Sequence, residues 1–235
     1  MRILVVENSI CGCDYSFLLK YGIVSQVDCA ILHTKSCDEW LSDIDCVIFS
    51  GGPQHLYEIE KYPELFHELE LLGTALKKRL RIIGICLGFQ LINHYFGNTV
   101  VSLKAPCIGH GFMDDSLPSS YKFLHHAFSF HYDGVFENIS DKLIVLGRSV
   151  PIVGCRGGLI YFVKHIDLPV FGVQVHPEVT VNRIIECVKS YNERDVEMYA
   201  PEHYVMLRQQ FFDALLLPST TEVNRSLSHW ISNNL

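Results

Sequence analysis

The sequence predicts an α/β fold, a mostly parallel central sheet flanked by helices, and three observations carry that expectation. Short unbroken apolar runs such as Ile3-Leu4-Val5-Val6 and Cys46-Val47-Ile48-Phe49 lack the alternation of a half-exposed strand and fit strands buried on both faces. Segments with apolar residues at helical spacing separate them, which is how a chain returns to lay its next strand parallel to the last. The third observation is Gly84-Ile85-Cys86-Leu87-Gly88-Phe89-Gln90, where the run Leu80-Arg81-Ile82-Ile83 gives way abruptly to the helical pattern of Gln90 to Phe96. A strand, a tight turn and a helix follow one another there, with a cysteine at the turn.

In chain order, Ile3 to Val6 is the first buried strand, with Glu7-Asn8-Ser9 at its carboxyl end. A short helix is expected over Tyr15 to Tyr21, and Val27 to Leu32 reads as a second strand. Cys11-Gly12-Cys13 lies between them, but a zinc pair needs wider spacing and a second pair of ligands. Cys46 to Phe49 is the next strand and runs into Ser50-Gly51-Gly52-Pro53. Adjacent glycines at a strand end can take up conformations closed to other residues and turn their N–H groups toward a ligand. Pro63 to Lys78 is an amphipathic helix with Leu65, Leu69, Leu72 and Leu76 on one face. Strands are further expected at Asn98 to Ser102, Leu143 to Leu146, Ile160 to Val163 and Val170 to Val175. The last of these ends in His176-Pro177-Glu178. Residues 179–235 read as a helical extension of the same domain, with helices over 181–191, 202–216 and 219–231, the last opened by the capping-box pattern Ser219-Thr220-Thr221-Glu222.

Size and composition bound the function. A chain of 235 residues with 49% hydrophobic content can bury one sizeable core, so residues 1–235 are expected to form a single domain. No apolar run approaches the ~20 residues of a membrane span, and the start of the chain meets Glu7 too early to be a secretion signal. A cytoplasmic location is the expectation. Nine scattered cysteines suit reduced thiols rather than a disulfide framework. A net charge of -7 and a pI near 5.9 speak against nucleic acid or an acidic membrane as partner. The histidines at 110, 125, 126 and 131 show no ligand spacing that selects a metal, and no metal or cofactor is expected.

The chemistry-bearing residues fall at the turns. Cys86 sits at a helix N-terminus, where unpaired amides and the helix dipole favour a thiolate, and the turn is expected to push it toward solvent. In extended chain His176 and Glu178 point to the same side, and Pro177 holds His176 in that extended region. A carboxylate that fixes a histidine tautomer, and a histidine that activates a thiol, are the parts of a nucleophilic site.

With the Gly84–Gln90 turn, Ser50-Gly51-Gly52-Pro53 and His176-Pro177-Glu178 in this order, the chain resembles the class I glutamine amidotransferases over roughly residues 2 to 190. The resemblance implies a flavodoxin-like sheet and a Cys-His-Glu triad, with Cys86 as nucleophile, His176 as base and later acid, and Glu178 orienting His176. It implies an oxyanion hole from the N–H groups of Gly52 and Leu87. It places the substrate against Gly51, Gln90 and the segment Phe130-His131-Tyr132-Asp133, so that His131, Tyr132 and Asp133 become substrate-binding candidates. Tyr132 stands where the family carries glycine. The activity implied is a glutaminase: a cysteine-bound glutamyl thioester forms from glutamine, glutamate and ammonia are released, and a separate synthetase subunit accepts the ammonia. Two alternatives use the same residues differently: a γ-glutamyl hydrolase or peptidase, and a catalytically silent regulatory or binding subunit.

Overall fold

The computed structural model describes residues 1–9, 15–110, 127–151 and 157–179, with Asp114, Leu117, Pro118, Tyr121 and Leu124 between them. Its strands are β1 (Arg2–Glu7), β2 (Ile23–Asp28), β3 (Cys46–Phe49), β4 (Arg81–Ile85), β5 (Val101–His110), β6 (Phe128–Gly134), β7 (Leu143–Arg148), β8 (Ile160–His165) and β9 (Val170–Val173). The helices are α1 (Cys37–Trp40), α2 (Pro63–Lys77) and α3 (Leu87–Tyr95). One seven-stranded sheet runs in the order β2-β1-β3-β4-β9-β8-β7. Its first five strands are parallel, and β8 and β7 are antiparallel additions. The remaining pair, β5 and β6, forms a separate antiparallel ribbon.

The unbroken apolar runs are explained by burial on both faces. Ile3 and Val5 of β1 pack with Ile48, Ile83 and Val173 on one side of the sheet. Leu4 and Val6 pack with Val47, Phe49 and Ile82 on the other, where α2 and α3 contribute Leu65, Leu72, Leu91 and Ile92. Because β3, β4 and β9 are neighbours and parallel, the loops that follow them emerge side by side at one edge. Those loops carry Gly51, Cys86 and His176.

Two elements differ from expectation. The apolar stretch from Val27 to Leu32 is split: β2 ends at Asp28, whose side chain accepts from the Ala30 N–H and caps a 3-10 turn over Cys29–Thr34. As an edge strand β2 buries only Val27, so Cys29 and Leu32 reach the core from the turn instead. The ribbon strand expected near Asn98 begins at Val101 and continues to His110. The expected helices beyond residue 180 lie outside the described residues, as do Cys11, Cys13, His125, His126 and the side chain of His110. Among the described residues no helix is long and apolar enough to cross a membrane.

Helix α2 buries Leu65, Leu72 and Ala75 as its periodicity predicts, but the same face also buries Glu68 completely. Asn8 Nδ2 donates to Glu68 Oε2 at 3.1 Å, and Asn8 in turn lies at the carboxyl end of β1. Burial pushes the Glu68 carboxyl from 4.5 up to about 8, against the opposing pull of the Asn8 hydrogen bond. Between those two pH values the unfolded chain releases this proton while the folded protein keeps it, so stability falls as pH rises across the window. Replacing Glu68 with Gln removes that fall. Urea denaturation is expected to find the variant more stable than wild type at pH 8, by on the order of several kcal/mol, with the gap closing toward pH 4.5; an unchanged gap between pH 5 and pH 8 would contradict a buried proton here.

Candidate active site

The turn after β4 is built by close backbone approach. Helix α3 crosses so near the sheet that a Cβ on Gly84 would strike the Gly88 carbonyl, and a Cβ on Gly88 would strike the carbonyl of Phe49 in β3. Neither glycine supplies the bend itself. Cys86 does, with φ 51° and ψ -101°, a conformation that costs a non-glycine residue on the order of 1–3 kcal/mol. Hydrogen bonds overdetermine it: Cys86 N–H donates to Val173 O at 2.9 Å, Gln90 N–H to Cys86 O at 3.0 Å and Gly88 N–H to Ser50 O at 3.2 Å.

Cys86 is 5% exposed rather than held out in solvent. The ribbon causes this, because β6 lies over the turn and the Phe130 carbonyl accepts a weak S–H bond from Cys86 at 3.8 Å. The same strand anchors the histidine, whose N–H donates to Phe128 O at 2.7 Å. His176 Nδ1 and Glu178 Oε1 are 2.8 Å apart, so the two side chains do share a side across Pro177. Gly51 lies between the two halves of the site. A Cβ there would stand 2.6 Å from His176 Cε1 and 3.3 Å from Cys86 Cβ, so only glycine lets cysteine and histidine close on one another.

The electrostatics suit an ion pair. Burial disfavours the imidazolium of His176, but Glu178, Cys86 and the hydrogen bonds to both outweigh it and raise its pKa well above the ordinary histidine value. With Nδ1 committed to Glu178, Nε2 is the nitrogen left for the thiol. Other thiols are driven the opposite way. Burial pushes Cys46 up to about 12, and burial with the nearby Glu68 does the same to Cys29.

Gly52 follows Gly51 in the β3 loop, and a Cβ there would strike Gln54 and Asn8. Leu87 is the first residue of α3, so its amide has no partner within the helix. Gln90, one turn into α3, is buried and donates through Nε2 to Gln174 Oε1 at 3.3 Å and to Asp133 O at 3.4 Å. His131 is also buried, and both its ring nitrogens are used: Nδ1 is 2.8 Å from Asp133 O and Nε2 is 2.9 Å from the Tyr161 hydroxyl. A carbonyl only accepts, so Nδ1 carries the proton and Tyr161 donates to Nε2. Burial pulls the His131 pKa down to about 4, which keeps the ring neutral. Its part is to fix the Asp133 backbone. Tyr132 points to the opposite, exposed side of β6 and stands edge-on to Phe130.

The structure thus gathers Cys86, His176, Glu178, Gly51, Gln90 and Asp133, turns Tyr132 away, and adds residues that no motif announced. Asn8 N–H donates to Ser50 Oγ at 2.8 Å and so ties β1 to the glycine loop. His55 Nδ1 lies 2.7 Å from Asp133 Oδ2. A lone histidine in a polar loop carries no periodicity or spacing signal, so this pair is invisible before folding. Among the described residues no group of three or more histidine, cysteine, aspartate or glutamate side chains could hold a metal ion.

If Glu178 holds the imidazolium, Glu178→Gln lowers the His176 pKa and with it the share of thiolate. Alkylation of Cys86 by iodoacetamide at pH 7, followed by peptide mapping, is expected to slow by roughly tenfold for each pKa unit lost. An unchanged rate would show that the carboxylate does not support the pair.

Comparison with known proteins places these features in context. The model of the glutamine amidotransferase class-I family matches residues 15–184. A glutamine amidotransferase-like protein of Acanthamoeba polyphaga mimivirus is 30% identical over 200 residues, 84% of each chain. The glutamine-hydrolysing GMP synthase of Anaplasma marginale is 29% identical over 143 residues, which make up 58% of this chain and 26% of that protein. Among solved structures, a glutamine amidotransferase from Thermotoga maritima shares the fold with a TM-score of 0.72 at 23% identity, over 92% of this chain and 98% of the other.

Proposed function

The chain belongs to the class-I glutamine amidotransferase family, and on that premise we propose that it hydrolyses the side-chain amide of glutamine through a thioester on Cys86. The observation that carries this reading is the contact of Cys86 with a His176 whose other nitrogen is held by Glu178, all at the carboxyl edge of parallel strands.

The Cys86 thiolate attacks the carboxamide carbon, giving up its contact with the Phe130 carbonyl to do so. Negative charge moves to the amide oxygen, where the N–H groups of Gly52 and Leu87 receive it. One such preorganised donor is worth about 3 kcal/mol in comparable sites. His176, already cationic by virtue of Glu178, gives its proton to the leaving nitrogen, and ammonia departs from a glutamyl thioester. The neutral imidazole then takes a proton from water, whose oxygen attacks the thioester carbon. Glutamate leaves and the thiolate–imidazolium pair is restored.

Gly51, Gln90, His131, Tyr132 and Asp133 form the substrate end. Gln90 and His131 act there through the Asp133 backbone, which both hold, and Tyr132 acts as an exposed rim on the far side of β6. The ammonia is passed to a separate synthetase. The relative from Anaplasma marginale supports this, since the segment resembling this chain is a minority of a protein named as a glutamine-hydrolysing synthase.

Cys86→Ala is expected to abolish ammonia release from glutamine, a loss of at least a thousandfold, while the melting temperature stays within a few degrees of wild type. Running γ-glutamyl peptides beside glutamine, with mass detection of glutamate, reads the leaving group the site prefers; turnover retained in Cys86→Ala would remove the thiol from the mechanism.

A further inference from the structure

Asp133 is held from several directions and yet left half unused. Its backbone carbonyl receives His131 Nδ1–H and Gln90 Nε2–H, and its Oδ2 lies 2.7 Å from His55 Nδ1. Its other carboxylate oxygen, Oδ1, is buried and has no hydrogen-bond partner. The Asp133 side chain is 4% exposed, against 30% for His55. A buried carboxylate oxygen without a donor is costly, and a site that tolerates one has room in its chemistry for a cationic donor.

His55 sits in the β3 loop three residues beyond Gly52, while Asp133 belongs to β6, whose Phe130 carbonyl touches the Cys86 thiol. Their contact therefore joins the two walls on either side of Cys86 across 78 residues of sequence. It also fixes the rotation of the carboxylate, because occupying Oδ2 settles where Oδ1 points. Burial disfavours the charged form of Asp133 and nearby Glu58 adds to that, so His55 is the group that opposes both.

We propose that His55 is a positioning residue that orients the Asp133 carboxylate so that Oδ1 receives the α-ammonium group of the substrate, making the site selective for amides that carry an amino-acid head. The proposal rests on the glutamine reading above and adds to it a residue and a basis for selectivity. In this arrangement His55 touches no substrate. It holds one oxygen of Asp133 so that the other meets the ammonium.

The test compares glutamine with glutaramate, the same carboxamide without its α-amino group. Wild type is expected to favour glutamine in kcat/KM by a hundredfold or more. His55→Phe should raise KM for glutamine at least tenfold with kcat within threefold of wild type, and leave KM for glutaramate nearly unchanged. His55→Asn, whose Nδ2 can stand where the histidine Nδ1 stood, should recover most of the loss. Should His55→Phe not fold, Asp133→Asn provides the same comparison, and it should erase the preference for glutamine. Equal losses on both substrates, or an unchanged KM for glutamine, would overturn the role of His55 while leaving the glutaminase intact. If wild type turns over neither amide, the glutamine reading falls and takes this proposal with it.

Discussion

The crossing of α3 over β4 and β3 is the constraint on which the rest of the site depends. Gly84 and Gly88 have no Cβ because the helix backbone occupies that space, and this proximity forces the chain to reverse within the single residue Cys86. The strain stored there is supported by amides from β9, α3 and the β3 loop. A looser crossing would leave the thiol free to relax into an ordinary turn. It would also separate it from Gly51 and His176, which meet it at van der Waals range or closer.

Around that point the protein separates charge from neutrality by burial and partner. Two histidines illustrate it. His176 is buried beside a carboxylate and a thiol, and becomes more basic than free imidazole. His131, equally buried but facing a carbonyl and a tyrosine hydroxyl, is kept neutral. The first is fitted to move a proton, the second to hold a strand. Behind the glycine loop the same logic appears in a carboxyl: Glu68 is buried without a cation, and keeps its proton instead. Asn8 links it to β1, and through Ser50 to the loop that carries Gly51 and Gly52.

The ribbon of β5 and β6 changes what an exposed turn would otherwise be. The main sheet alone would present Cys86 at an open edge. Strand β6 closes over it, contributing the Phe130 carbonyl, the anchor for His176 and the Asp133 that meets His55. The thiol is thereby sheltered, which strengthens every charge interaction it makes by removing competing water. Its neighbours Cys29 and Cys46, sheltered without a positive partner, are driven toward inert thiols by the same burial.

The sequence by itself determined the sheet's buried strands, the amphipathic helix α2 and the turn with its cysteine, because period and residue type are local properties. It determined the pairing of His176 with Glu178 as well, since two residues of extended chain fix a shared side. It misplaced the second strand, where an edge position and the Asp28 cap overrode an apolar run, and it expected Cys86 to be exposed. Only the tertiary structure decided what stands over that cysteine, which glycines make room and which give the bend, and that His55 reaches Asp133. Those depend on segments far apart in the chain being brought to one edge, and no local pattern records a distance between residues that meet only after the sheet has formed.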